Sequence, residues 1–279
     1  MGIVLITLQD EDSIRRNLAA PLINSLARYN HRVTVIDTYD KALGNLSKLY
    51  KVRDYLSDNH SLFQDDDVVV FVDAHDVVFP PHTDARKNLL DNLREDFLRT
   101  QLDYMVGTET RYSHQFDSKS FFDDQTDHVS RYINTGFQIG FYRAFIEIYS
   151  YIITNLPTYS ARFRRAGQKR LDLRNIKLSE EQWTRALQDD QGAISQFYVA
   201  QKTDCVIPGL QIGMDYKRDF VSTLNSRTPF VPAEINSYFI HVTWLANPNQ
   251  RRKFNEVLEY YAVESVRQPP GDIAAQLGI

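Results

Sequence analysis

One cysteine, Cys205, is all that 279 residues contain, which excludes an intrachain disulfide and any zinc site built on paired cysteines. Carboxylates and histidines remain as metal ligands. Charge of one sign is also lacking. The 32 Lys and Arg against 36 Asp and Glu give a formal net charge of -4, so no global attraction draws the chain to nucleic acid or an anionic membrane. An anionic ligand has to be met by local positive charge or by a metal ion. Long apolar runs are missing too: residues 3–8 are too few to span a membrane, lack a basic flank and a cleavage site, and read as a first β-strand. Met1-Gly2 fails the myristoylation pattern because Ile6 sits where Ser or Thr is needed. These absences lead us to expect no membrane span and a cytoplasmic location, or a lumenal one if a leader has been trimmed. In the cytoplasm the sequons at Asn45 and Asn59 carry no glycan.

What is present suits a globular enzyme: 43% hydrophobic and 24% charged residues can build a full core. No repeat, low-complexity tract or clear linker interrupts the chain, so one domain over residues 1–279 is expected. Short apolar runs alternate with segments of helical spacing, which predicts an α/β fold with a mixed, mostly parallel sheet covered on both faces. Strands are expected at 3–8, 33–36, 68–72, 104–106, 139–142, 205–207 and 238–242. Helices are expected at 13–29, 46–57, 85–98, 145–156, 179–187, 191–201 and 250–261, the first kinked or divided by Pro21. In the second helix, Leu46, Leu49, Tyr50, Arg53 and Leu56 mark the stripe expected to face the sheet. Two stretches break the alternation: a basic segment at 158–177, rich in Arg, and an apparent long loop at 209–232.

The sharpest chemical feature is the run from Asp67 to Phe79, an apolar strand that delivers Asp73 and Asp76 at its C-terminal end, where open α/β sheets bind ligands. In an extended strand these two side chains point to opposite faces, so a shared site requires a turn after Asp73. Converging carboxylates repel each other unless a cation lies between them, and hard oxygen ligands suit Mn²⁺ or Mg²⁺. A strand ending in Asp also has ordinary turn and capping explanations. His75, between the pair, reads as a residue that supports the metal ligands or contacts a nucleotide rather than as a ligand itself. His241, at the end of another apolar strand, is the candidate third ligand, and an imidazole biases the site toward Mn²⁺. Gly136 lets backbone approach a bound sugar, with Asn134 and Thr135 offering hydrogen bonds to hydroxyls. The pattern GxGxxG is absent, so this is not a dinucleotide fingerprint. Asp189 and Asp190 open a helix: one is expected at the N-cap, the other free to orient a sugar or act as general base.

Three motifs in this order resemble the glycosyltransferase domain of the procollagen lysyl hydroxylase family. The strand resembles that family's FVDSYDV stretch, Arg131 to Phe141 its RFLNSGGFIGF, and Asp189 to Gln191 the end of its poly-Asp run before Gln; Lys51-Val52-Arg53 matches a KVR upstream. The likeness spreads over roughly residues 30 to 245. It implies a Rossmann-like fold of the GT-A superfamily, a UDP-sugar donor, and Mn²⁺ held by Asp73, Asp76 and His241. It also implies Lys51 near the donor and Asp189 and Asp190 as the catalytically important acidic pair. Glu109 and Tyr112 fall where the family has a Ser-Ala-Glu segment followed by an aromatic residue lining the active site. Two departures matter. The family's His-Gly-Asn-Gly is His241-Val242-Thr243-Trp244 here, so Trp244 shapes the donor pocket differently, and the basic segment 158–177 looks like an insertion.

The function expected is metal-dependent transfer of a sugar from UDP-sugar to an acceptor hydroxyl, on collagen-type hydroxylysine or its galactose or on a glycan. The alternatives are a metal-dependent phosphohydrolase, with Asp73 as nucleophile and Asp76 as acid/base, and a non-catalytic nucleotide-sugar-binding domain. Haloacid dehalogenase-like phosphatases separate their aspartates by one residue, whereas two separate them here.

Overall fold

The computed structural model describes residues 2–112, 119–172, 179, 180, 183 and 187–263. Its centre is β3 (Val68–Val72), five apolar residues buried on both sides. Alternation along this strand divides the core in two. Val69 and Phe71 join a cluster with Leu49, Val52 and Leu56 of α3 (Ser47–Asp58) and Phe145, Ile148 and Ile152 of α6 (Tyr142–Asp172). Val68, Val70 and Val72 join Leu22 and Leu26 of α2 (Ala20–Ala27) and Leu93 and Phe97 of α4 (Leu90–Arg99) on the other face. Each such side chain contributes roughly 2 kcal/mol of burial, and a strand covered on both faces has no register that leaves it exposed.

Around β3 the main sheet has six strands in the order β2-β1-β3-β6-β5-β7, formed by β1 (Ile3–Leu8), β2 (Thr34–Ile36), β3, β5 (Tyr104–Glu109), β6 (Tyr132–Phe141) and β7 (Ile212–Met214). Five strands run one way and β6 runs against both neighbours. This is the mixed, mostly parallel α/β class expected. A second sheet, β4-β9-β8, joins Val77–Val78, Phe239–Val242 and Val221–Leu224. One of its faces packs on the main sheet; the other packs on α8 (Pro248–Tyr260) through Ile240, Val242, Phe254 and Val257.

Several elements differ from the sequence reading. The first helix is two, α1 (Glu11–Arg15) and α2, separated at Asn17, whose φ is 52°, with Pro21 tolerated in the first turn of the second. The 85–98 helix is a 3₁₀ turn at Ala85–Asn88 followed by α4, and a further short helix, α5 (Lys119–Gln125), precedes β6. Helix α6 does not stop at 156: it continues through Pro157 to Asp172, so the first part of the basic segment extends an existing helix. Arg174 and Lys177, like most of the 179–187 helix, lie outside the described residues. No strand forms at 205–207, because Cys205 is the left-handed cap (φ 52°) of α7 (Asp190–Asp204). The expected loop 209–232 instead contains β7 and β8. Strands of three and four residues that include Gly213, Ser222 and Thr223 are too short and too polar to announce themselves by alternation. Among the described residues, no helix is long and apolar enough to cross a membrane.

The turn between β7 and β8 is held by Asp215, a buried residue whose carboxylate accepts the backbone amides of Asp219 (2.9 Å), Phe220 (3.0 Å) and Val221 (2.8 Å). Removing that acceptor leaves buried donors unpaired, at about 1–3 kcal/mol each where water cannot reach. Asp215→Ala is therefore expected to destabilise the fold by about 2 kcal/mol or more in urea denaturation; a change below about 0.5 kcal/mol would contradict this role.

Candidate metal and donor site

At the end of β3 the backbone amide of Asp73 donates to Gly136 O (2.9 Å), closing the ladder with β6, and residues 73–76 then turn into β4. That turn meets the requirement that the two aspartates converge. Strand β4 pairs antiparallel with β9, Val77 opposite His241, while Asp76 O accepts Val242 N (2.8 Å). The pairing delivers the imidazole beside the carboxylates. His241 Nε2 lies 3.3 Å from Asp76 Oδ2 and 3.8 Å from Asp73 Oδ2, and one ligand atom from each of the three residues falls within 4.8 Å of the others. Gly136 makes the approach possible. A Cβ on it would stand 2.1 Å from His241 Cε1 and 2.5 Å from Nδ1, so the ring rests directly on the β6 backbone.

Between β6 and β5 the register jumps: Val106 faces Gln138, but Gly107 faces Asn134. The extra β6 residues include Thr135 and Gly136, and irregularities of this kind re-aim side chains. Thr135 Oγ1 donates to Asp190 Oδ2 (2.8 Å), Thr135 N to Gln191 Oε1 (3.4 Å), and Asn134 Oδ1 accepts Gly136 N (3.0 Å). Asp189 takes the N-cap position of α7 and Asp190 its first turn, where the helix dipole favours a carboxylate. Glu109, fully buried, accepts from Gln191 (3.0 Å) and Asn225 (3.4 Å) and so ties the start of α7 to the second sheet.

Lys48, which the sequence reading missed, binds these parts together. Its Nζ is 2.6 Å from Asp73 Oδ1 and 3.5 Å from Asp190 Oδ2. The expected stripe on α3 is rotated, with Ser47, Leu49, Val52 and Leu56 buried. The rotation turns Lys48 toward the strand ends. Lys51, one turn further along, does not line the adjoining cavity, whereas Lys48 does. Tyr112 packs edge-on against Tyr132 (5.2 Å between centroids). Trp244, 60% exposed with φ at 69°, lies beneath the Arg111 guanidinium (5.8 Å). The sequence offers a lysine at both 48 and 51, and only the helix phase separates them.

The electrostatics are those of an acidic site held by one cation. Burial alone would lower the Lys48 ammonium, but Asp190 and Asp73 hold it above its usual range. Burial would raise Asp73, yet Lys48 and then His241 keep it below the usual carboxylate range. Asp190 is raised, by burial first and then by Asp189 and Asp73, against the pull of Lys48 and Thr135. For His241, desolvation opposes the charged ring, but Asp76 and Asp73 raise it overall. Three carboxylates face one lysine, which leaves room for two positive charges. The donor set and this deficit fit a divalent cation of the Mn²⁺ or Mg²⁺ type.

Beside the three residues lies a cavity of about 310 Å³ between the C-terminal ends of β1 and β3, lined by Gln9, Tyr39, Asn45, Lys48, Asp73 and His75 among others. This is the point at which the strand order reverses, the usual ligand crevice of an open α/β sheet. Gln9 Nε2 and His75 Nε2 are buried without a hydrogen-bond partner in the protein, so each has capacity for a ligand. Gln9 and Tyr39 carry no motif, and only their place past the ends of β1 and β2 could have marked them.

Two substitutions test this geometry. Gly136→Ala drives a methyl into the His241 ring and is expected to abolish divalent-cation binding in a calorimetric titration, an outcome that unchanged affinity would contradict. Lys48→Met leaves Asp73 and Asp190 without their ammonium partner and is expected to lower Tm in a chelator. Millimolar Mn²⁺ should restore part of the loss; Tm insensitive to Mn²⁺ would contradict the charge account.

Comparison with known protein families and with curated proteins gives no match. Among solved structures, the chain is similar to the crystal structure of a glycosyltransferase involved in the glycosylation of the major capsid of PBCV-1. The likeness has a TM-score of 0.46 and 11% sequence identity, covering 93% of this chain and 100% of that one. The functional reading of this chain rests on the side chains described above.

Proposed function

We propose that this protein is a metal-dependent glycosyltransferase that moves a sugar from a UDP-sugar to an acceptor hydroxyl. The observation that carries the reading is the meeting of Asp73, Asp76, His241, Lys48 and Asp190 beside a cavity at the sheet's switch point. Asp73, Asp76 and His241 hold the cation, with Mn²⁺ favoured by the imidazole and Mg²⁺ as a substitute. A bound cation there supplies Lewis-acid neutralisation of the departing diphosphate. Lys48 adds a fixed positive charge on the same side, the part that the family resemblance gave to Lys51. The uridine fits the cavity against the open hydrogen-bonding capacity of Gln9 and His75.

The sugar lies beside Asn134 and Thr135, within reach of Asp190, while the space over Gly136, which the sequence reading gave to the sugar, belongs to the His241 ring. If the reaction inverts the anomeric centre, Asp190 removes the acceptor proton, and its raised pKa makes it a better base than an exposed carboxylate. If it retains the configuration, Asp190 orients the sugar. Asp189 supports it electrostatically, and Glu109 braces the start of α7 through Gln191. The acceptor is a glycan or a collagen-type side chain.

The test is a panel of UDP-sugars with and without Mn²⁺, read as UDP release, with a simple phosphate ester alongside. Cation-dependent UDP release from one sugar is expected; ester hydrolysis without UDP release would favour a phosphohydrolase. Asp73→Ala and Asp76→Ala should lose cation-dependent donor binding. Asp190→Asn should keep UDP affinity and lose about 100-fold or more in turnover, and an equal loss of UDP affinity would contradict its role. His241 must shed its proton to ligate. Its raised pKa therefore predicts that cation affinity climbs with pH through a midpoint above about 6.5; affinity flat across that range would contradict the assignment.

A further inference from the structure

Buried polar atoms almost always find a partner, so a cluster of unpaired ones needs a reason. Three such atoms are His241 Nδ1, Thr223 Oγ1 and Thr243 Oγ1, all buried and without a hydrogen-bond partner in the protein. They are not scattered. Strand β8 pairs parallel with β9, and Thr223 stands opposite His241 in that register. Directly opposed residues project to the same face of a sheet. Thr243 follows His241 by two residues and continues the ladder, its amide donating to Leu224 O (3.1 Å). It therefore emerges on the same face.

That face is the one turned toward the main sheet. Val221, two residues before Thr223, packs over Gly107, where an added Cβ would stand 3.0 Å from Val221 Cγ1, and the His241 ring rests on Gly136. Alternate residues Ile240 and Val242 point the other way, into the cluster with α8. The three unpaired atoms thus share the seam between the sheets, behind the edge of the imidazole that faces away from Asp76.

A neutral imidazole carries one proton, and the nitrogen that holds it is set by the partner offered to each. Without an acceptor behind Nδ1, the proton belongs on Nε2, 3.3 Å from Asp76 Oδ2. That tautomer has no lone pair to offer a cation. An acceptor behind Nδ1 reverses the choice. No direct bond joins the three atoms, and a buried water needs two to four polar partners, which they supply.

We propose that Thr223 and Thr243 hold one buried water that accepts the Nδ1 proton of His241, fixing the ring with its Nε2 lone pair toward Asp73 and Asp76. The two threonines are positioning residues that act through His241. The inference rests on the cation site proposed above, but its hydrogen bond exists whether or not a cation is bound.

The test uses Thr223→Val, which keeps the shape and removes the hydroxyl, with Thr223→Ser as the rescue and Thr243→Val in parallel. Two readouts are taken on the intact chain: Mn²⁺ affinity by electron paramagnetic resonance without nucleotide, and the His241 tautomer by ¹⁵N NMR in the cation-free protein at a pH above the ring's titration, where it is neutral, assigned with His241→Ala. Thr223→Val should weaken Mn²⁺ binding about tenfold to 100-fold, move the ring from the Nδ1–H toward the Nε2–H tautomer, and leave Tm unchanged or higher. Thr223→Ser should restore affinity and tautomer.

An unaltered tautomer in Thr223→Val would overturn the inference, as would lost affinity that serine does not restore. If the wild-type protein binds no divalent cation, the cation site fails, and the tautomer measurement still decides the hydrogen bond on its own.

Discussion

Three carboxylates converge on a single ammonium at the end of β3, and the rest of the site follows from that imbalance. Asp73, Asp76 and Asp190 come from two distant parts of the sequence, and Lys48 touches the first and the last of them. Their mutual repulsion is tolerable only while positive charge stands among them, and one lysine is too little. The imidazole of His241 joins the group through β4–β9 pairing, in a position suited to sharing a cation. Glycine at 136 is the steric condition for all of this, because any side chain there would occupy the ring's place.

The fold serves that convergence. Strand β3, buried on both faces, gives Asp73 a rigid base, and the antiparallel course of β6 brings the 134–136 segment to the same end of the sheet. Helix α7 begins where β6 loses register, so Thr135 can reach Asp190 in the helix's first turn. The small second sheet carries His241. Its far face is sealed by α8, and its near face lies against glycines of the main sheet.

The parts legible in the sequence were those with strong local signals. A run of five apolar residues ending in two aspartates specifies a buried strand and a candidate site together, and His241 ends a run of the same kind. What stayed hidden depended on phase and pairing. Lys48 and Lys51 sit one turn apart on α3, and the apolar pattern could not fix the helix rotation well enough to choose between them. Strands β4, β7 and β8 have two to four residues each, and their existence depends on partners far away in sequence. The extension of α6 beyond Pro157 depends on tertiary packing, since Tyr159 is buried where a local reading stops the helix.

Everything proposed for this site turns on one divalent cation held among Asp73, Asp76 and His241 and facing a nucleotide diphosphate. The most direct measurement is a crystal structure grown with Mn²⁺ and UDP, with an anomalous difference map collected at the manganese absorption edge. One strong peak bonded to all three side chains is expected, with UDP phosphate oxygens on its open side and the base in the cavity lined by Gln9 and His75. A map with ordered UDP and no peak at those residues, or with the ion bound elsewhere, would contradict it.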